Sequence, residues 1–300
     1  MSEGKGQFEQ GFLPKVTHQD PPGREGDLPV EAIHDKLPTP DGGWQEYKAA
    51  GKLEGKKAFI TGSSTLRGIG RAIAILFAKE GADSFIVYLP EEEEDAKETQ
   101  KRVEAEDRKC HLFPTDVRKY ENCEKAVKAA QQALGKINIL VNNAAYQMMQ
   151  MDITEIPLEQ WHKTFETNIH PYFYFAKLIV PHMKRGDTVI NNASINAYIG
   201  RPDLLDYTST KGAIISFTRG LANQQVSKGI RVNAVCPGPV WTPLIPSTMN
   251  EDAQKQFTSP LGRPAQPSEI ATSFVFLASP DSSMISGHAL HPNGGTVLNT

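Results

Sequence analysis

The side chains best suited to acid–base chemistry in this chain are a tyrosine and a lysine four positions apart. Tyr207 and Lys211 stand in the stretch Asp-Tyr-Thr-Ser-Thr-Lys-Gly, at the start of a segment with helical periodicity. Residues four apart share one face of a helix, with Cβ atoms roughly 5–6 Å apart. Because a nearby ammonium favours the phenolate, we expect Lys211 to lower the pKa of Tyr207 towards neutrality. Tyr207 is thus predicted to act as a general acid and base.

A serine and a glycine-rich turn accompany this pair. Ser194 follows a predicted strand that ends near Asn192, where it can hydrogen-bond a reacting oxygen. Residues 61–70 read Thr-Gly-Ser-Ser-Thr-Leu-Arg-Gly-Ile-Gly and connect a strand to an amphipathic helix. Such glycines let backbone N–H groups approach a pyrophosphate, which the positive end of the helix stabilises. Either motif alone occurs without any ligand, so the inference rests on their combination.

These residues must be positioned by an α/β architecture. From residue 55 onward, short apolar runs alternate with longer segments of helical period, which is typical of βαβ units. The predicted strands are 58–61, 84–88, 110–113, 137–141, 188–191, 230–235 and, more weakly, 288–291. The predicted helices are 68–80, 91–106, 119–133, 158–183, 205–228 and 267–278. We therefore predict a single domain over 55–300, with a doubly wound, mainly parallel seven-stranded sheet and helices on both faces.

Residues 1–54 form a segment of a different kind. This segment is rich in proline, glycine and charge and has no sustained period, so we expect an extended tail. Trp44 and Tyr47 suggest that its last third packs on another surface, such as a neighbouring subunit. A disordered leader is the alternative.

Charge and composition argue against several function classes. The 32 Lys and Arg residues against 35 Asp and Glu leave a net charge of −3, which provides no basic field for nucleic acid or a membrane surface. The three cysteines lack metal-ligand spacing and are expected to be reduced. Without a long apolar run, the chain is expected to be soluble and cytoplasmic. The acidic run at 91–95 suits a helix start, so no metal is predicted.

Together these motifs resemble the short-chain dehydrogenase/reductase family, in particular its glucose and ribitol dehydrogenase-like branch with a Pro-rich N-terminal extension. Residues 61–70 match the family's TGxxxGxG turn and residues 142–145, Asn-Asn-Ala-Ala, its NNAG motif. The branch likeness rests on segments 51–56, 88–96 and 237–246. One departure is that five residues, not three, separate the first two glycines of the turn, so the loop must bulge. The resemblance implies the catalytic set Asn168, Ser194, Tyr207 and Lys211.

The resemblance also implies how a nicotinamide dinucleotide is held. Asp116 and Val117 match the pair that contacts adenine, and segment 237–242 matches the part that clamps the nicotinamide. The implied cofactor contacts are Gly62, Ser63, Ser64, Arg67, Gly68, Ile69, Gly70, Tyr88, Leu89, Asp116, Val117, Asn143, Ala144, Ala145, Tyr207, Lys211, Pro237, Gly238, Val240 and Thr242.

NADP(H) is the cofactor that we expect, with NAD(H) as the alternative. An NAD enzyme of this fold normally ends its second strand with an acid that binds both ribose hydroxyls, whereas here Tyr88 and Leu89 stand there. Arg67 precedes a turn glycine, where a guanidinium fork suits a phosphate. The glutamates at 91–94 are the opposing consideration, because they lie close enough to supply the missing acid.

An apolar pocket is predicted for the substrate, with segment 243–262 as its lid. The expected lining is Met148, Met149, Ile195, Tyr198, Trp241 and Met249, although the two adjacent methionines could equally be core filler. A hydrophobic carbonyl would suit this lining better than a sugar.

The leading functional prediction is a carbonyl reductase or alcohol dehydrogenase (EC 1.1.1.-) acting on a small molecule. By the resemblance, Tyr207 protonates the oxygen, Ser194 orients the carbonyl, Lys211 also grips the ribose, and Asn168 anchors a proton-relaying water. The alternatives are a cofactor-binding member of the same fold that performs a non-redox step such as a cyclisation, and a redox-sensing binding protein. The resemblance further implies a homotetramer, with residues 172–176 helping to form one contact.

Overall fold

The computed structural model describes residues 5–62 and 68–298 of the chain. The tail contains a 3₁₀ turn at Glu25–Asp27 and an antiparallel hairpin of β1 (Lys36–Pro38) and β2 (Trp44–Glu46). Tyr47 donates its hydroxyl to Glu80 of the chain's own body, whereas Trp44 is exposed and carries the Lys36 ammonium 3.5 Å above its ring. The last third of the tail thus packs on its own domain.

Seven parallel strands form the central sheet, in the order β5-β4-β3-β6-β7-β8-β9. They are β3 (Lys57–Thr61), β4 (Asp83–Tyr88), β5 (Cys110–Pro114), β6 (Ile139–Asn142), β7 (Thr188–Asn192), β8 (Arg231–Val235) and β9 (Ala289–Leu290). The order reverses between β3 and β6, so a crevice opens there beyond the carboxyl ends of the strands. The predicted fold class is confirmed, with all seven predicted strands in place.

Helices cover both faces of the sheet. They are α1 (Ile69–Lys79), α2 (Glu93–Glu104), α3 (Tyr120–Leu134), α4 (Leu158–Asn168), α5 (His170–Ile179), α6 (Asn196–Ile199), α7 (Leu205–Gln225), α8 (Leu244–Thr248), α9 (Glu251–Lys255) and α10 (Pro267–Ala278). Alternate strand residues serve opposite faces: Ala58 and Ile60 pack with α1 and α10, whereas Phe59 packs with α5. Within the described ranges, no helix has the length and apolar character needed to cross a bilayer.

One helix prediction was wrong. The segment 158–183 is not continuous but consists of α4, α5 and a 3₁₀ turn at Val180–His182. The break falls at Ile169, whose φ is −125°, and Pro171 in the first turn of α5 has no N–H to continue a ladder from α4. Helical periodicity alone could not reveal this break, because both helices bury the same side.

Candidate active site

Tyr207 and Lys211 lie in the first turns of α7, and both side chains are buried. The Lys211 ammonium nitrogen stands 5.2 Å from the centroid of the Tyr207 ring and donates a 2.8 Å hydrogen bond to Asn192 O at the end of β7. Ser194 lies two residues beyond the end of β7, and its side chain is near enough to Tyr207 to lower the pKa of the phenol. The helix start and the strand end therefore bring the three predicted catalytic side chains together.

Burial controls the protonation of this group. It raises the pKa of Tyr207 to about 12, against the opposing effect of the Ser194 hydrogen bond. It also lowers the pKa of Lys211 to about 7, which makes the amine a weaker source of positive charge. The expected lowering of the tyrosine pKa by Lys211 is thus not found: Tyr207 is a neutral phenol at neutral pH.

Asn168 is the last residue of α4, and its side chain is fully engaged within the protein. Its Nδ2 donates to Tyr146 O at 2.8 Å and to Thr210 Oγ1 at 3.0 Å, while its Oδ1 accepts from Tyr146 N at 2.6 Å. Both amide hydrogens are therefore used. The side chain ties the segment after β6 to α7, and the hold of Asn168 on a proton-relaying water stays a prediction.

Asn192 belongs to the site but was missed by sequence reasoning. Its carbonyl accepts from both Lys211 and Tyr172, the latter at 3.0 Å, and its Nδ2 donates to Asn143 Oδ1 at 2.8 Å. Asn143 N in turn donates to Thr61 Oγ1 at 2.9 Å, which links three strand ends. In the sequence, Asn192 could have been recognised as a polar residue at the end of a buried strand, two positions before Ser194.

Asp206 is a second residue that sequence reasoning missed. This fully buried carboxylate accepts from Thr164 Oγ1 at 2.6 Å, Gln160 Nε2 at 3.0 Å and Tyr207 N at 2.8 Å. It fixes the first turn of α7 against α4. The signal was an acid immediately before the tyrosine, although its partners could not be identified from spacing.

The glycine turn approaches segment 237–242 closely. A Cβ on Gly68 would stand 2.6 Å from Thr242 Cγ2, and one on Gly238 would stand 2.8 Å from the backbone of Asn293. Gly62 N donates to Val87 O at 2.7 Å, and Gly70 is buried in the first turn of α1. The predicted contacts Ser63, Ser64 and Arg67 lie outside the described residues.

A cavity of about 280 Å³, the central cavity, is lined by Ser194 and Tyr207. The predicted cofactor and substrate residues that line it are Ile69, Asn143, Ala145, Ser194, Ile195, Tyr207, Lys211, Pro237, Gly238, Val240, Thr242 and Met249. Ala144 is instead packed in the core, and its N–H donates to Thr61 Oγ1 at 3.1 Å. The lid contributes Leu244, Ile245, Phe257 and Thr258, so segment 243–262 covers the cavity as expected.

Four residues predicted to line the substrate pocket lie elsewhere. Trp241 is buried against the tail, and its Nε1 donates to Val30 O at 2.8 Å. Met149 packs in the same cluster, Met148 O accepts from Gln160 Nε2 at 3.0 Å, and the Tyr198 ring stands edge-on to His291 at 5.0 Å. Their places at the cavity are taken partly by polar residues, namely Gln147, Asn196, Arg201 and Thr258. The lining is consequently more polar than predicted.

A second cavity of about 530 Å³, the side cavity, lies at the ends of β4 and β5. It is lined by Leu89, Asp116 and Val117, as well as by Pro21 and Pro22 of the tail. Tyr88 is almost fully buried and donates its hydroxyl to Glu93, so its side chain does not line this cavity. Leu244 of the lid lines both cavities.

Comparison with known proteins gives consistent matches. Residues 62–297 match a family model described as enoyl-(acyl carrier protein) reductase. The glucose and ribitol dehydrogenase of Daucus carota is 46% identical over 96% of this chain and 98% of its own length. An NADPH-dependent aldehyde reductase of Arabidopsis thaliana is 48% identical over 85% of this chain and 90% of its own. A Burkholderia cenocepacia short-chain dehydrogenase solved with NADP superposes with a TM-score of 0.76 at 27% identity, covering 81% of this chain and 98% of that one.

Proposed function

This chain belongs to the short-chain dehydrogenase/reductase family and is an oxidoreductase, and on that premise we propose that it is an NADP(H)-dependent reductase of small carbonyl compounds. The observation that carries the proposal is that Ser194, Tyr207 and Lys211 all line the central cavity, with the Lys211 ammonium nitrogen 5.2 Å from the centroid of the Tyr207 ring. Two adjacent hydroxyls at one cavity wall are suited to hold a carbonyl oxygen.

The residues around the central cavity fit a nicotinamide dinucleotide. Gly68 packs directly against the Thr242 side chain and Gly238 against the backbone of Asn293, so a Cβ at either position would push apart the segments that border the cavity. In this proposal Asn143, Lys211 and segment 237–242 hold the nicotinamide half, and Asp116 and Val117 hold the adenine half. When bound, the cofactor exchanges a hydride with the carbonyl carbon.

Tyr207 supplies the proton for carbonyl reduction. Its phenol, with a pKa of about 12, is protonated at neutral pH and gives a proton to the oxygen as the carbon receives the hydride, so that a carbonyl becomes an alcohol. Ser194 donates a hydrogen bond to the same oxygen. Lys211, with a pKa of about 7, both holds and releases a proton near neutral pH and is suited to restore the phenol. Oxidation of an alcohol runs the same steps in reverse.

NADP(H) is the proposed cofactor in preference to NAD(H). Two relatives are described with NADPH or NADP in their names. Of the glutamates after β4, Glu92 accepts from Leu89 N at 3.3 Å and Glu93 accepts from the Tyr88 hydroxyl, so both are engaged within the helix start. Glu91 lines the side cavity and is an acid that still opposes this choice. On the cofactors of the two relatives we favour Arg67 as the phosphate ligand, and expect Arg67→Glu to weaken NADPH binding far more than NADH binding.

Small aldehydes or sugar-like carbonyls are the proposed substrates. The central cavity is small, and its polar residues Asn196, Gln147 and Arg201 stand beside apolar Ile195 and Met249. The test is loss of reduced-cofactor absorbance with a panel of short aldehydes, aldoses and aromatic ketones, with NADPH and NADH in parallel. Turnover of the short or polyhydroxylated carbonyls with NADPH supports the proposal. Preference for NADH contradicts the cofactor assignment, and turnover of the aromatic ketones alone contradicts the substrate class.

The rest of the proposal concerns the chain as a whole. Residues 55–300 form the catalytic domain, and residues 1–54 are an extension that packs on it. All three cysteines are buried and unpaired, which fits a cytoplasmic enzyme. We propose a homotetramer in which α5 forms one contact, since Phe173 on this helix is 52% exposed.

A further inference from the structure

Residues 17–34 of the tail, named the strap here, are attached to the lid at several points. Thr17 and Gln254 exchange two hydrogen bonds, 3.2 Å from Thr17 N and 2.9 Å to Thr17 O. Gln19 N donates to Pro246 O at 3.2 Å. Gly23, with a φ of +75°, lies so close to the lid that a Cβ there would stand 2.8 Å from Pro243 O. The lid therefore cannot open without either breaking these contacts or moving the strap with it.

The same strap is anchored to the dinucleotide half of the domain. Buried Glu25 forms an ion pair with Arg71 of α1, the helix that follows the glycine turn. Arg71 also contacts Asp95 of α2 at 3.1 Å, and His34 Nε2 stands 3.1 Å from Glu25 Oε1. Breaking this contact is costly, because the buried Arg71 guanidinium would lose its partner, even though burial raises the pKa of Glu25 to about 7. The strap thus connects the lid to α1 and α2 across the crevice.

Between these attachments, two prolines form part of a cavity wall. Pro21 and Pro22 line the side cavity together with Asp116, Val117 and Leu244 of the lid. Proline rings are apolar and lose little conformational freedom on ordering, so they form a ready surface for a flat aromatic ring. The side cavity is consequently built from three separate parts of the chain: the strand ends, the lid and the strap.

We propose that the strap is part of the cofactor site: Pro21 and Pro22 form the outer wall of the adenosine pocket, and the strap restrains the lid so that cofactor release is slow. This inference rests on the proposed dinucleotide function. It adds a binding element from the tail and a role for the tail–lid contacts. Because adenosine enters the side cavity, the wall should act on every ligand that carries adenosine and not on the nicotinamide half.

The wall is tested with Pro22→Gly and the matched control Pro29→Gly, which changes an exposed strap proline outside the side cavity. Calorimetry measures binding of NADPH, adenosine 2′,5′-bisphosphate and reduced nicotinamide mononucleotide. Loss of roughly 40 Å² of apolar contact corresponds to about fivefold weaker binding. We expect that loss for the first two ligands with Pro22→Gly, and wild-type values for the mononucleotide and for Pro29→Gly. Equal affinities of Pro22→Gly and Pro29→Gly for the adenosine-containing ligands would contradict the proposal that the prolines form a wall of this pocket.

The restraint is tested through Gln254→Ala, with exposed Gln256→Ala as its control. Stopped-flow displacement should show that NADPH dissociates severalfold faster from Gln254→Ala and at the wild-type rate from Gln256→Ala. An unchanged dissociation rate for Gln254→Ala would contradict the proposal that the strap slows cofactor release. Hydrogen exchange can be measured on the wild-type protein, so this test does not depend on the folding of a variant. Adenosine 2′,5′-bisphosphate should slow exchange at the backbone amides of Gln19 and Arg24. Unchanged exchange at these amides would also contradict the proposed role of the strap. If wild type binds none of the ligands, the proposed function itself fails, which separates the two failures.

Discussion

Replacing Tyr207 with phenylalanine removes one hydroxyl and leaves the ring, which isolates the proposed proton donor. The ring is buried against Trp241 and Leu204, and phenylalanine fills the same space. Loss of the polar interaction between the hydroxyl and Ser194 should lower the free energy of unfolding by only about 1 kcal/mol. Loss of a general acid, in contrast, typically reduces the rate about 10²–10⁴-fold, or roughly 3–5 kcal/mol in the activation free energy. Activity should therefore fall far more than stability.

Tyr172→Phe is the matched control. Tyr172 is also buried and donates a 3.0 Å hydrogen bond, but its acceptor, Asn192 O, is still held by Lys211 at 2.8 Å when the hydroxyl is lost. We expect a similar loss of stability and turnover within about threefold of wild type. Steady-state carbonyl reduction, chemical denaturation and NADPH titration would be measured for both variants. Near-normal turnover by Tyr207→Phe, or equal losses in the two variants, would refute the assignment of Tyr207 as the acid.

Three further predictions follow from the site and its surroundings. Because burial raises the pKa of Tyr207 to about 12, the rate of alcohol oxidation should rise about tenfold per pH unit between about pH 7 and 10, as the phenolate fraction grows. The rate of carbonyl reduction should not rise through Tyr207 in that range. An oxidation rate that is independent of pH would contradict this prediction. Gly68→Ala should lower stability by about 1–3 kcal/mol, since the new Cβ would stand 2.6 Å from Thr242 Cγ2, and adding Thr242→Ser should restore part of the loss in denaturation experiments. Light scattering at micromolar concentration should give the mass of a tetramer, and a monomer would exclude the proposed α5 contact.

Local patterns in the sequence determined the fold class and the central chemical pair. Strand and helix periodicity depend on neighbours along the chain, so the seven strands and most of the helices could be predicted. Tyr207 and Lys211 meet because a spacing of four is itself a helical contact. The break at Ile169 could not be predicted in this way, because α4 and α5 bury the same side and their buried residues continue one helical pattern across the break.

Tertiary structure alone decided which side chains face the cavities and how the site is charged. Trp241 looked like a pocket residue, but its indole donates to Val30, which lies 211 positions away in the sequence. Asn192 and Asp206 support the site through partners on other strands and helices, and no spacing rule encodes such contacts. Burial likewise reversed the expected direction of the Tyr207 pKa shift, because desolvation depends on everything packed around the phenol and not on the one lysine beside it.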